Sequence, residues 1–145
     1  MMDKWESDGM LRSRAAAAQA MKRKANADEI SDVLGFFEVM GYLVRVRAVD
    51  AEATWSMFSD WALPYWVAAK YSIDDDRSAD QTYWQEFEGL WKTLIAIEAG
   101  KRGRPERDVV PSEHDSQELL DSESKLAPGQ PHPSRAWRRA RRPVP

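Results

Sequence analysis

One acidic segment of this sequence carries oxygen-bearing side chains at a spacing that suits calcium. They fall at positions 1, 3, 5, 7 and 9 of a calcium loop, as Asp74, Asp76, Ser78, Asp80 and Thr82. Position 6 of such a loop needs a glycine for its sharp turn, and position 12 needs a bidentate glutamate. This chain has Ala79 and Gln85 there, so the cage would stay open. We therefore interpret the segment as a solvated loop whose last aspartate caps the next helix, and we predict no metal and no cofactor.

The residue types that catalysis needs are either missing or far from the expected core. The sequence has no cysteine, and both of its histidines, His114 and His132, lie in the C-terminal third. It also lacks a glycine-rich phosphate loop, a nucleophile elbow and a zinc motif. Glu38, Glu86 and Glu88 could form a carboxylate pair, but outward positions on helices explain them more simply. The sequence therefore predicts a protein that is not an enzyme.

An arginine cluster near the C-terminus is the strongest candidate for binding a charged ligand. The first 100 residues hold 11 Lys/Arg and 17 Asp/Glu, whereas residues 101–145 hold 10 and 7. The cluster surrounds one tryptophan and comprises Arg135, Trp137, Arg138, Arg139, Arg141 and Arg142. Five arginines can neutralise about five phosphates, and an indole ring can stack on an unpaired base. Binding of nucleic acid or another polyanion is therefore the alternative function, and anionic lipid would use the same charges.

The helices that would position these residues are organised around residues 50–73. Four aromatic residues recur there at helical spacing and share one face: Trp55, Phe58, Trp61 and Tyr65. Such a stripe is typical of a packed core, because aromatic side chains bury the most area per residue. Asp50 is placed to cap this helix. Pro64 predicts a kink near residues 60–63 with little interruption of the helix.

Three further segments have the apolar spacing of amphipathic helices. They are residues 3–24, a helix that begins at Asn26 or Asp28 and ends at Gly41, and residues 81–99. Gly35 lies inside the second of these, where a glycine suggests that another helix approaches closely. In the first, the apolar face is thin, and we interpret Arg12, Arg14 and the neighbouring lysines as a solvated face rather than an anion site. The sequence thus predicts an all-α fold, a small three- to four-helix bundle with a kinked aromatic-rich helix.

Composition divides the chain into three parts. Thirteen of the fifteen aromatic residues lie between Phe36 and Trp91, which places an aromatic-rich helical core domain at residues 26–100. Residues 1–25 are predicted to be an N-terminal helix that docks loosely. Residues 101–145 are rich in proline, serine and charge, which predicts a disordered tail ending in the arginine cluster. A core of about 70 residues is marginally stable alone, so either the first helix or another chain must cover it.

Four aromatic residues lie off the main stripes or at their edges, and we predict that they bind a partner: Trp66, Tyr71, Tyr83 and Trp84. Exposed clusters of tryptophan and tyrosine often anchor protein interfaces. A non-catalytic protein–protein interaction or structural module is therefore the leading prediction, and a homodimer is one form of it. The competing explanation is that the first helix simply covers these side chains.

Several segments together resemble an uncharacterised family of short, all-helical bacterial and phage domains. The resemblance rests on Trp5 and residues 6–14, residues 33–44, Asp50, residues 55–58, Tyr65 with Trp66, and residues 87–90. It covers residues 5–97. It implies a helical fold and no known activity, so it assigns no functional residue.

Membrane insertion is not expected from this sequence. Many members of the family that it resembles carry an N-terminal membrane helix before the domain, and no such segment precedes Trp5. No apolar run approaches the ~20 residues that span a bilayer, and the alanine-rich stretch near the N-terminus is too short for a signal-peptide core. The sequence therefore predicts a cytoplasmic protein.

Overall fold

The computed structural model describes residues 1–127, and all regular secondary structure in that range is helical. The helices are α1 (Met2–Trp5), α2 (Asp8–Lys22), α3 (Asp28–Arg45), α4 (Ala51–Ala68), α5 (Lys70–Ala79), α6 (Gln85–Arg102), α7 (Glu106–Val109) and α8 (Glu113–Glu123). The predicted all-α class is confirmed, but the fold has more helices than the predicted three to four. The difference arises because the acidic segment and the first part of the predicted tail are helical.

Five helices enclose the core, namely α2, α3, α4, α6 and α8. Trp5, the last residue of α1, lies at its centre, with its ring 4.8 Å from that of Phe36 and 5.5 Å from that of Trp61. Three members of the predicted aromatic stripe, Phe58, Trp61 and Tyr65, are buried in the same core. The fourth, Trp55, is half-buried and donates a 2.7 Å hydrogen bond to Glu98. The N-terminal segment is therefore an integral part of the core and is not loosely docked as predicted.

Helices α3 and α6 approach most closely at Gly41. A Cβ atom added there would lie 2.1 Å from the backbone carbonyl oxygen of Glu86, so only a glycine fits. The side chain of Glu38, one turn earlier on α3, accepts a hydrogen bond of 2.8 Å from the Phe87 N–H in the first turn of α6. Close approach was predicted at Gly35, where an added Cβ would meet nothing within 4 Å. The close contact thus belongs to Gly41, which lies inside α3 rather than at its end.

The acidic segment is helical and not a loop. Helix α4 continues through Pro64 to Ala68, and α5 follows after the single residue Ala69. Helix α5 therefore includes Asp74 and its acidic neighbours, and it ends only at Ala79. The last long helix then begins four residues later than predicted and continues past Gly100 to Gly103, whose φ of 62° ends it in the left-handed region.

The tail predicted from residue 101 is folded as far as the structure describes it. Ser112 caps α8, and Asp115 completes a capping box by accepting a hydrogen bond from the Ser112 N–H. Leu119 and Leu120 are buried, and α8 packs against α2 and α4. The prediction of disorder for these residues is wrong. A cap and two leucines are enough to form a helix from a polar segment when neighbouring helices bury the leucines.

Lys24 and Arg47 provide a test of how two of these helices end. Both follow a helix C-terminus in the left-handed region, with φ of 52° and 63°, a conformation that glycine adopts without strain. We expect Lys24→Gly and Arg47→Gly each to raise the free energy of unfolding by about 0.5–1 kcal/mol in urea denaturation. Gly103→Ala, the reverse exchange at the end of α6, should lower it by a similar amount. Destabilisation by both glycine variants would contradict the interpretation that the left-handed conformation strains Lys24 and Arg47.

Candidate functional site

The outward face of α3 carries an exposed apolar stripe. It consists of Val39, Tyr42 and Val46, which we call the α3 stripe, with side chains 56%, 48% and 45% exposed. Steps of three and four residues place them on one face of the helix and its C-cap. The opposite face of α3 packs into the core through Phe37 and Met40. Scattered apolar residues are ordinary on a protein surface, but three at helical spacing form the kind of patch that interfaces use.

Two grooves lie beside α3. One has a volume of about 610 Å³, lies between α3 and the start of α2, and is lined by Gly35, Val39 and Met10 among others. The other, of about 730 Å³, lies beside Val44 and Arg45 and extends to the start of α4 and α6. Because a Cβ at Gly35 would meet nothing within 4 Å, the first groove opens directly onto the helix backbone. Val39 thus lines the first groove, and the second groove lies against the part of α3 that faces α6.

Charges of opposite sign mark the two ends of this surface. Asp28 and Asp32, in the first turns of α3, are exposed, and so are Arg45 and Arg47 at its other end. The Nε atom of Arg45 lies 2.9 Å from each carboxylate oxygen of Glu86, and these hydrogen bonds raise the pKa of Arg45. Arg47 makes no ion pair with any of residues 1–127. The α3 surface thus has exposed carboxylates at one end, apolar side chains in the middle and, at the other end, one arginine that is paired with Glu86 and one that is not.

The four aromatic residues predicted to bind a partner do not form one surface. Trp66 is only 7% exposed and lies in the core against the ring of Phe87. Tyr71 and Trp84 are half-buried, and each donates a 2.7 Å hydrogen bond within the fold, to a carbonyl in the α2–α3 loop and to a carboxylate of α5. Tyr83 is 47% exposed and is the accessible member of the set. Periodicity alone did not separate these environments, because the helix that contains Trp66 is buried on most of its faces.

The remaining predicted candidates are accounted for in three ways. The arginine cluster, Arg135, Trp137, Arg138, Arg139, Arg141 and Arg142, lies outside the described residues. Residues 1–127 contain no group of three His, Cys, Asp or Glu side chains that could hold a metal ion. The three glutamates have separate contacts: Glu38 caps α6, Glu86 pairs with Arg45, and Glu88 accepts from Lys92 and Arg77, which lowers the pKa of Glu88.

The only deeply buried ion pair in the described part of the chain joins α2 to α8. The Nε and Nη2 atoms of Arg14 each lie 2.8 Å from a carboxylate oxygen of Glu123, and neither side chain is exposed. Tyr65 donates its O–H to the same carboxylate, and Nη1 of Arg14 donates to the Trp5 carbonyl at 3.1 Å. The guanidinium group also lies over the Trp5 ring, 4.1 Å from its centroid. Arg14 was predicted to lie on a solvated face, and Glu123 lies in the segment predicted to be disordered.

This buried centre is a structural site rather than an open one. Burial alone would lower the pKa of Arg14, but the charge and hydrogen bonds of Glu123 outweigh that effect and raise it. Burial raises the pKa of Tyr65 well above its ordinary value, and the negative charge of Glu123 raises it further. Arg14 and Glu123 therefore have their partners inside the core, and neither side chain is exposed.

The raised pKa of Tyr65 predicts how stability depends on alkaline pH. The phenol stays protonated in the folded chain at a pH where the unfolded chain ionises, so the folded state holds more protons and stability falls as pH rises above about 10. One such group contributes a slope of up to about 1.4 kcal/mol per pH unit. We expect urea denaturation of Tyr65→Phe between about pH 9 and pH 11 to show a shallower loss than that of the unsubstituted chain. Equal slopes of stability against pH in the two chains would contradict a raised pKa of Tyr65, even if one chain is less stable than the other at every pH.

No helix within residues 1–127 is long and apolar enough to cross a membrane. Comparison with protein families gives one match: the sequence model of a family described as a domain of unknown function (DUF4760) matches residues 2–94, more than half of the 145-residue chain. No curated protein matches the chain, and no solved structure matches it. The α3 stripe and Arg14 lie inside the matched range, and Glu123 lies outside it.

Proposed function

The chain belongs to the DUF4760 family, whose function is unknown, and we propose that this member acts without catalysis, by protein–protein contact through the outward face of α3. The observation that carries the proposal is the exposed α3 stripe of Val39, Tyr42 and Val46, with a groove that Val39 lines. Burying three such side chains in an interface would contribute several kcal/mol at about 25 cal/mol per Å² of apolar surface. Tyrosine at the centre of an apolar patch is also a residue type that commonly dominates binding energy.

The absence of a catalytic role is part of the same proposal. The one constellation of acid, base and phenol that the described residues bring together, Arg14, Glu123 and Tyr65, is closed to solvent. The carboxylates that sequence analysis singled out each serve a local contact in the fold.

A photo-crosslinking experiment in cells tests the interaction surface. A photoactivatable phenylalanine analogue is placed at Tyr42, at Tyr83 and at Met57, which are exposed by 48%, 47% and 41%. Position 83 tests the remaining member of the predicted aromatic set, and position 57, on α4, is the control. We expect a discrete crosslinked product from position 42 that is lost when Val39→Asp is added. Crosslinking that is absent at position 42, or equal at positions 42 and 57, would refute the proposal.

Polyanion binding through the arginine cluster is a second candidate, favoured by the separation of charge along the chain. Residues 1–127 hold 16 Lys/Arg and 24 Asp/Glu, whereas residues 128–145 hold five Arg and no acidic residue. We expect the full chain, and not a chain ending at Ala127, to bind labelled DNA in fluorescence anisotropy. Five phosphate contacts predict a loss of several hundred-fold in affinity between 50 and 200 mM salt. Equal binding by both chains, or no binding at micromolar concentration, would exclude this role.

A further inference from the structure

We propose that the outward face of α3 is self-complementary and that its partner is a second copy of this chain, bound with the two α3 helices antiparallel. The inference rests on the proposed function, because it uses the same α3 stripe. It adds the identity of the partner, the orientation of the two helices and the register between them. Three features of α3 support it: the spacing of Tyr42 and Gly35, the open space at Gly35, and the opposite charges at the two ends.

The first feature is a match between a large and a small residue. Tyr42 and Gly35 are seven residues apart on one face of α3, or about 10.5 Å along the helix axis. If a two-fold axis passes midway between them, beside Val39, then Tyr42 of each copy meets Gly35 of the other. A two-fold interface requires such reciprocity, in which residue i contacts j and j contacts i. The 610 Å³ groove beside Gly35 gives the tyrosine ring a place to enter.

The second feature is that no contact within one chain requires a glycine at position 35. A glycine inside a helix costs about 1 kcal/mol relative to alanine, and an alanine Cβ here would touch nothing. Gly41 on the same helix is different, since its neighbour on α6 leaves no room for a side chain. Close approach of a second helix explains Gly35 in the same way that α6 explains Gly41.

The third feature is charge. An antiparallel pair brings the acidic start of α3, with Asp28 and Asp32, beside Arg47 of the other copy, because Arg45 is already paired with Glu86. A parallel pair would instead bring like charges together, which is destabilising. The macrodipoles of the two helices also oppose each other in the antiparallel arrangement. Sterics and charge therefore favour the same orientation.

Sedimentation equilibrium of the full chain tests the dimer, over a range of about 1–300 μM. We expect a monomer–dimer equilibrium in the unsubstituted chain. Gly35→Leu should keep its helical circular dichroism, because the side chain enters open space, yet raise the dissociation constant at least about tenfold. The double variant Gly35→Leu with Tyr42→Ala exchanges large for small and should recover much of that loss. Met57→Asp, at an exposed apolar position on α4, is the control and should dimerise like the unsubstituted chain.

Single cysteines test the orientation, since the chain has none of its own. In the proposed register, position 35 of one copy lies beside position 42 of the other, while the two copies of either position are about 10.5 Å apart along the axis. A disulfide needs Cα atoms within about 7 Å. An oxidised mixture of Gly35→Cys and Tyr42→Cys chains should therefore give the mixed dimer, and neither variant alone should crosslink. Crosslinking of each variant with itself would show a parallel pair and overturn the proposed register.

A chain that is monomeric throughout the concentration range would overturn the self-association. The proposed function fails separately, by the absence of crosslinking from position 42 in cells. A monomeric chain that still gives a discrete product at position 42, of a mass other than twice its own, would keep the α3 stripe as an interface and assign it to a different protein.

Discussion

Replacing Glu123 by alanine is expected to lower the free energy of unfolding by about 3–5 kcal/mol. The carboxylate receives two hydrogen bonds of 2.8 Å from Arg14 and a third from Tyr65, and neither charged side chain reaches water. Its removal leaves a guanidinium group in the core without a counter-ion, and the cost of that unpaired charge dominates the effect. Urea denaturation followed by far-ultraviolet circular dichroism measures the change directly.

Two further variants separate the unpaired charge from the loss of a helix contact. Asp121→Ala removes the exposed Lys22–Asp121 pair, which also joins α8 to α2, and should change stability by less than about 1 kcal/mol. The double variant Arg14→Met with Glu123→Leu removes both charges and should recover most of the loss, since apolar residues of similar volume often replace a buried pair at little cost. If Glu123→Ala proves as mild as Asp121→Ala, the buried pair does not hold α8 in place.

Gly41→Ala is expected to have the second largest effect, a loss of about 3 kcal/mol or more. The new Cβ would lie 2.1 Å from the carbonyl oxygen of Glu86 and 3.2 Å from the Cβ of Leu90, so α3 and α6 must move apart. Because the obstacle is backbone, no side-chain rotation relieves it. The same displacement should weaken the hydrogen bond from the Phe87 N–H to Glu38 and the Arg45–Glu86 pair, which flank the crossing.

Gly35→Ala is the matched control, because it is the same glycine-to-alanine substitution on a different face of α3. Nothing within 4 Å opposes its Cβ, so it should raise stability by about 1 kcal/mol through helix propensity. Both variants are compared by urea denaturation at a protein concentration low enough to keep the chain monomeric. Opposite signs are the expected result. Two values of the same sign would show that the approach at Gly41 does not limit the packing of α3 on α6.

Local sequence patterns predicted the core faces well. The apolar positions that give α3 its helical spacing, Ile30, Val33, Leu34, Phe37 and Met40, are buried. So are the thin apolar face of α2 and three of the four stripe aromatics of α4, Phe58, Trp61 and Tyr65. These signals succeed because periodicity depends only on which side chains share a helix face. Helix boundaries were less accurate, since a cap or a left-handed residue such as Trp84 depends on what the neighbouring elements contribute.

The buried ion pair could not have been predicted in the same way. Arg14 and Glu123 are 109 residues apart, and neither lies in a pattern that distinguishes it from a solvated charge. The available signal was local: Ser112 and Asp115 form a capping box, and two leucines follow within the next two turns. That signal identifies α8 as a helix, but only the packing of α8 on α2 and α4 shows where Glu123 lies.

The α3 stripe was missed for a different reason. Helix α3 carries apolar residues on more than one face, so the sequence alone does not say which face is covered. Phe37 in the core and Tyr42 on the surface are both aromatic residues, and they differ in what packs against them. For the predicted partner-binding aromatics the error was the opposite one. Trp66 is of a residue type that is common in interfaces, but it lies in the core.

The long separation between Arg14 and Glu123 also sets an order of events during synthesis of the chain. A ribosome adds about 5–20 residues per second, so Arg14 exists for roughly 5–20 s before its counter-ion is made. Trp61 and Tyr65 follow Arg14 by 47 and 51 residues, so for roughly the second half of that interval they and Trp5 are available to collapse around a guanidinium group that has no partner. The growing chain should therefore stay open between α2 and α4 until α8 emerges, and this is the period in which a chaperone or a protease would encounter it.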